Sequence, residues 1–442
     1  MTGITVFGGI LSVEADIISN RDGITVHGGK VTVIGNIILN DKGTGVNVYD
    51  ADADSEVTVI GNIIIPGGTH ISAFGSAKVY VTGNLLCAGT EDNDFIRATA
   101  IRVYNTSYIE LNGSIQTKGQ AIIAGWDSEV YVKGNIDTSA LRFYDCGIEA
   151  YGSRVSVDGY VSITEASDVD CIISRGDSSV VIKGDVTVEG DRCNAIHAYR
   201  EYDPAKATVS ISGNVNVFGE NNTAIYTEAD GDVTVEGDVT IEGLGSRGVF
   251  VYAESGDASV KVNGSVTATG NDAIGIDCFY HGIAIVGGNV VASGNNAIGV
   301  QVQYSSEVTI EDRIIAPTYI SFGELTINGV HYNPYTKTAV DFDSSSMKPD
   351  YMQYSVSYQG EGEYAGDYTD YVWVKNLEIT TPDPGPGPDP GPGPGPGPTP
   401  TPNPGTPGTG DFDALLASSL ALLLAIMGAG ALVVSRRKAR QS

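Results

Sequence analysis

Five cysteines in 442 residues are too few for a disulfide scaffold. Basic residues are outnumbered, 25 against 54 acids, and the resulting net charge of −29 excludes nucleic acid and anionic lipid as electrostatic partners. Proline is nearly missing from the first 316 residues, where only Pro66 and Pro204 occur, whereas 13 of the chain's 18 prolines lie between 382 and 407. A ring that cannot donate is kept out where backbone N–H groups must pair with a neighbour. Helical periodicity is lacking too: no window before residue 380 carries it. The opening "MTGITVFGGIL" has neither a basic nor an apolar leader and already lies inside a repeat, so residues are expected upstream of Met1.

What is there is repetition. An apolar-x-apolar-x-Gly pattern places its glycine at Gly8, Gly35, Gly61, Gly83, Gly113, Gly134, Gly159, Gly184, Gly213, Gly237, Gly264 and Gly288, with Asp312 in a thirteenth copy. From 8 to 312, 304 residues in 12 steps give about 25 per step, a period that marks a solenoid. Steps vary from 21 to 30 residues, which loops absorb and a helical heptad does not. Valine, isoleucine, threonine and tyrosine fill the apolar runs, and Gly, Asn, Asp and Ser separate them. A further short apolar run precedes each tagged one by about ten residues, as in "GTGVNVYDADADSEVTV". Two or three strands per period without room for crossover helices predict an all-β chain, a right-handed parallel β-helix over residues 1–323. At about 4.8 Å per coil the rod would measure roughly 58 Å.

The residue after the glycine is Asn36, Asn62, Asn84, Asn135, Asn214 and Asn289, with Asp185, Asp238, Ser114 and Ser265 in the same place and Gly9, Tyr160 and Arg313 as departures. Equivalent turn residues of stacked coils lie above one another, so this column is expected to pass hydrogen bonds along the axis and to tolerate a left-handed corner. Cys146 and Cys171 both stand 13 residues before their glycine and are expected to stack as buried, unbridged thiols. Asp54, Glu56, Asp127, Glu129, Asp177, Asp232, Asp257 and Glu307 recur before the tagged strand and are expected to form an acidic, solubilising stripe.

Residues 324–380 break the pattern. "YMQYSVSYQ" and "DYVWVKNLEI" alternate like strands, with Tyr354, Val356 and Tyr358 on one face and Tyr371 and Trp373 on another. They predict a small Tyr-rich β cap, some of whose aromatics face sugar or protein. Residues 381–408 form a Pro/Gly linker, extended to about 87 Å if polyproline-like. The 21 residues 414–434 carry no charge and suffice to cross a bilayer; Arg436, Arg437, Lys438 and Arg440 follow, which places the tail inside and the rod outside.

At the junction stand Thr406, Pro407, Gly408, Thr409 and Gly410. Spacer, Pro-x-Thr-Gly, apolar segment and basic end, together residues 406–442 with the preceding linker, resemble the cell-wall sorting signal of Gram-positive surface proteins, written L-P-x-T-G. Pro407, Thr409 and Gly410 match, and Thr406 replaces the leucine. The resemblance implies a sortase that cuts after Thr409 and joins its carbonyl to a peptidoglycan precursor, with a membrane helix before processing.

The repeat region resembles pectin-lyase-like β-helices, and that resemblance admits a polysaccharide lyase or hydrolase. Of the glycosidase motifs only "YHG" at His281, with Asp277 four residues before it, is present. "DADADSE", residues 50–56, lacks the glycine and distal glutamate of a calcium loop and reads as a solvated turn. No catalytic residue, metal site or cofactor is expected. The reading is a non-catalytic adhesin or stalk presenting host or community ligands with its sides. A tethered carbohydrate-active enzyme and a spacer for an upstream domain are the alternatives.

Overall fold

A computed structural model describes residues 2–50, 55–87, 98–142, 145–202, 205–323, 325–327, 330–332, 335–360 and 366–377. Its first compact unit ends at Thr380. The linker 381–408, the segment 414–434 and most of the "DADADSE" turn lie outside the described residues.

All regular structure described is β, wound as a parallel solenoid of about 12 turns with roughly 24 residues each. A coil has three faces. Asp22–Val26 lies on face 1, Lys30–Ile34 on face 2 and the three-residue Ile37–Leu39 on face 3. Each pairs in parallel with its counterpart one coil on: Ile24 with Val46, Val31 with Val57, Ile37 with Ile63. Alternation decides which side chains turn inward. In Lys30–Ile34 the two valines are buried and Lys30 and Ile34 are exposed. Each buried valine or isoleucine contributes roughly 1.5–3 kcal/mol, and only because the other two faces supply the remaining walls.

The corner between faces 2 and 3 explains the repeated glycine. A Cβ at Gly61 would run into the carbonyl oxygen of Gly35, and one at Gly83 into that of Gly61. The positive φ falls on the glycines, +153° at Gly35 and +154° at Gly61, and not on the asparagines that follow. Those asparagines do join coil to coil, by a route other than amide to amide. The backbone N–H of Asn62 donates to Oδ1 of Asn36 (2.9 Å), that of Asn84 to Asn62 (2.8 Å) and that of Ser114 to Asn84 (2.8 Å). The column continues through Ser114 to Asn135, from Asp185 to Asn214 and Asp238, and through Ser265 to Asn289. Only an oxygen is required, which is why Asn, Asp and Ser exchange freely there.

Three expectations are corrected. Gly8 is not the corner of the first coil: it pairs with Gly28 in the turn between faces 1 and 2, and Ala15 and Asp16 hold the corner, Asp16 accepting from the N–H of Asn36 (2.7 Å). Cys146 and Cys171 are buried, free thiols as expected, but they do not stack; Gly147 pairs with Cys171, so the two are one register position apart. No acidic stripe forms on face 2, because bases interleave with the acids: Lys30 bonds Glu56 (3.1 Å), Arg154 bonds Glu129 (3.0 Å) and Lys206 bonds Asp232 (2.5 Å). In the Tyr-rich segment, Tyr351–Gly360 and Gly366–Lys375 form an antiparallel hairpin whose second strand extends face 2 beside Glu307–Ile310. Tyr354 and Trp373 are consumed by packing there, and burial pushes the Asp370 carboxyl up to about 6.

Candidate ligand-binding face

Face 1 carries the chemistry the sequence reading passed over. Its strands turn Ile24 and Val26, and their counterparts in other coils, into the core. The last outward position is aromatic in coil after coil: Phe7, His27, Tyr49, Phe74, Tyr104, Tyr151, Tyr199, Tyr252 and Phe279. Coil spacing brings the rings together. Phe7 and His27 stack at 5.0 Å, Tyr49 and Phe74 at 5.2 Å, Phe74 and Tyr104 at 5.4 Å. In the next coil Gly125 takes the register position, since a Cβ there would press into the Tyr104 ring. A positive φ of 53° at Trp126 then swings the indole into the column, 5.2 Å from Tyr104. Such pairs contribute about 0.5–1.5 kcal/mol each beyond burial.

Near Phe7 the rings lie almost parallel, 7° apart, and cover one another's faces. Past Tyr104 they tilt. Trp126 and Tyr151 meet at 65° and 6.3 Å, Tyr151 and Tyr202 at 55° and 6.2 Å. Trp126 is 53% exposed and Tyr202 58%. Arg175 follows Tyr151 in register, its guanidinium 4.7 Å from that ring and bonded to Glu149 and Glu201. A hydrogen bond with Tyr151, with Glu201 nearby, pushes the Tyr202 phenol up to about 12.

Further along, His197 Nδ1 lies 2.8 Å from Asp170 and Nε2 lies 4.0 Å from Glu228, whose carboxyl burial pushes up. A histidine between two acids has the makings of proton transfer, but here the imidazole is closed off. Tyr226 stacks on it at 4.5 Å and 13°, Tyr199 sits at 4.6 Å, and 8% of the residue is exposed. The group ties three coils together.

Beyond Trp126 and Tyr151 the chain turns toward face 2, and those turns border a groove of about 350 Å³ lined by Asp127, Ser128, Arg154, Ser178, Lys206 and Thr208. His281 stands exposed in an equivalent turn at positive φ, while buried Asp277 faces Arg247 at 3.4 Å, so the two do not form a site. Among the described residues no group of three or more His, Cys, Asp or Glu could hold a metal ion, and no helix is long and apolar enough to cross a membrane. Thr406, Pro407, Gly408, Thr409 and Gly410 lie outside the described residues. The aromatic column left a trace in the sequence, in "NVYD", "SAFG", "RVYN", "EAYG" and "FVYA", but the runs end at varying distances from the glycine and alignment on the glycine scatters them. No family model, no curated protein and no solved structure matches the chain.

Proposed function

We propose that the chain is a non-catalytic surface protein: a right-handed β-helical rod, closed by its Tyr-rich hairpin, that binds ligand along face 1 and is held at a bacterial wall by its C-terminal signal. Right-handed winding follows from the handedness of parallel crossovers in sheets of L-residues. The observation that carries the binding role is the exposed aromatic column, because large apolar side chains left in water on a soluble rod mark an interaction surface. Anchoring rests on the order of spacer, Pro407-x-Thr409-Gly410, apolar segment and basic end. In this reading the linker holds the rod away from the cell, and sortase exchanges the bond after Thr409 for one to a peptidoglycan precursor.

Expression of the full chain behind a secretion signal in a sortase-bearing Gram-positive host tests the anchoring. The protein should be released by a muramidase as a ladder of wall-linked species, and Thr409→Ala should move it to the membrane fraction. Equal wall linkage of the two proteins would defeat this part of the reading. Turnover of any polysaccharide by the purified rod would establish the carbohydrate-active alternative instead.

A further inference from the structure

We infer that Trp126, Tyr151 and Tyr202, with the groove beside them, form a subsite for a linear neutral polysaccharide laid along the rod. This rests on the binding role proposed for face 1 and names the ligand class of its central part.

A pyranose presents one face of C–H bonds and a rim of hydroxyls, so it needs an aromatic plane beneath and hydrogen-bonding groups at the edge. The stacked rings near Phe7 turn their planes to one another, 7° apart at Phe7 and His27 and 17° apart at Tyr49 and Phe74. Among the tilted rings the outer two present planes: Trp126 and Tyr202 are more than half exposed, while Arg175 lies over the Tyr151 ring between them. Trp126 and Tyr202 lie 6.3 and 6.2 Å from Tyr151, so the two exposed rings stand on either side of it. The rim is supplied by the exposed polar groups of the groove, the Asp127 carboxylate with Arg154 and Lys206.

Charge selects among polysaccharides. The chain carries −29, and three cations near the rings are matched by acids: Arg175 with Glu149 and Glu201, Arg154 with Glu129, Lys206 with Asp232. A polyuronate would meet repulsion from the net charge. A neutral chain meets none.

The protein carries its own reporter. Of its two tryptophans, Trp373 is buried and Trp126 exposed. In full-length protein bearing Trp373→Phe, emission reports Trp126 alone. Titration with a β-1,4-linked glucose hexamer should give a saturable blue shift, and a galacturonate hexamer should not. Tyr202→Ala should weaken binding about tenfold, equivalent to about 1.4 kcal/mol. Tyr160→Ala, on a different corner of the rod, should leave it unchanged. The inference is overturned by no saturable shift with the neutral hexamer, by equal response to the galacturonate, by equal losses in the two tyrosine variants, or by a shift that follows protein concentration without sugar. Wall linkage is measured without sugar, so its failure and this one are told apart.

Discussion

At the scale of the residue, the apolar interior tolerates a histidine. The third position of the face 1 strands Gly43–Asp50 and Ala98–Tyr104 holds Gly45 and, two coils later, Ala100. A Cβ at Gly45 would already press on Ile63. His70 occupies the coil between, with no exposed surface, and burial lowers its pKa from 6.5 to about 4. Above pH 6.5 both folded and unfolded chains keep this imidazole neutral, and it adds no pH dependence to stability. As pH falls from 6.5 toward 4 the unfolded chain takes up a proton that the folded one refuses, so stability drops by about 3 kcal/mol over that window. His70→Ala should be less stable than the parent at pH 7.5, because it leaves a void, yet lose less on acidification to pH 4.5. Denaturant titrations at the two pH values check this; parallel losses in the two proteins would clear His70 of the effect.

At the scale of the element, the corner between faces 2 and 3 is the part of the fold most legible in the sequence. Its glycine and its oxygen-bearing neighbour are both chemically exacting, one because the preceding coil leaves no room for a Cβ and the other because the next coil's N–H needs an acceptor. Asn62→Ala leaves the N–H of Asn84 without its acceptor and should cost about 1 kcal/mol. Asn62→Asp keeps the oxygen and should be close to neutral, whereas Gly61→Ala, forced against the Gly35 carbonyl, should cost at least about 2 kcal/mol. Thermal melts that ranked the alanine and aspartate variants at position 62 alike would show that the ladder carries no stability. Other elements were less legible for physical reasons. "TVFGG" reads like the corner motif, but at Gly8 the glycines serve the turn between faces 1 and 2. The Cys146 and Cys171 spacing was equal, yet coils differ in loop length, and the two fall one register position apart. The aromatic column went unread because Trp126 joins it from one residue past the strand's register, by way of a positive φ that no spacing reveals.

At the scale of the whole molecule, three walls and a repeated corner make each coil an interchangeable part, stabilised by its neighbours above and below. That property is testable without touching the binding face. Deleting residues 36–61 joins Gly35 to Asn62 and removes one full coil in phase. The Asn62 N–H then meets Asp16, as that of Asn36 does in the intact rod, Ile63 of face 3 falls on Ile17, and Lys78–Thr82 of face 2 falls on Lys30–Ile34. His27 would stack on Phe74 in place of Tyr49, and Trp126, Tyr151 and Tyr202 keep every neighbour they have. The shortened rod should retain its β circular dichroism per residue, melt within a few degrees of the parent and respond to sugar as before. Deleting residues 36–48 removes about half a coil and sets core positions of one face against turns of another, so that protein should fail to fold cooperatively. Unfolding of the in-phase deletion as completely as the out-of-phase one would mean that stability resides in particular contacts of the third coil, and that the coils are not equivalent units.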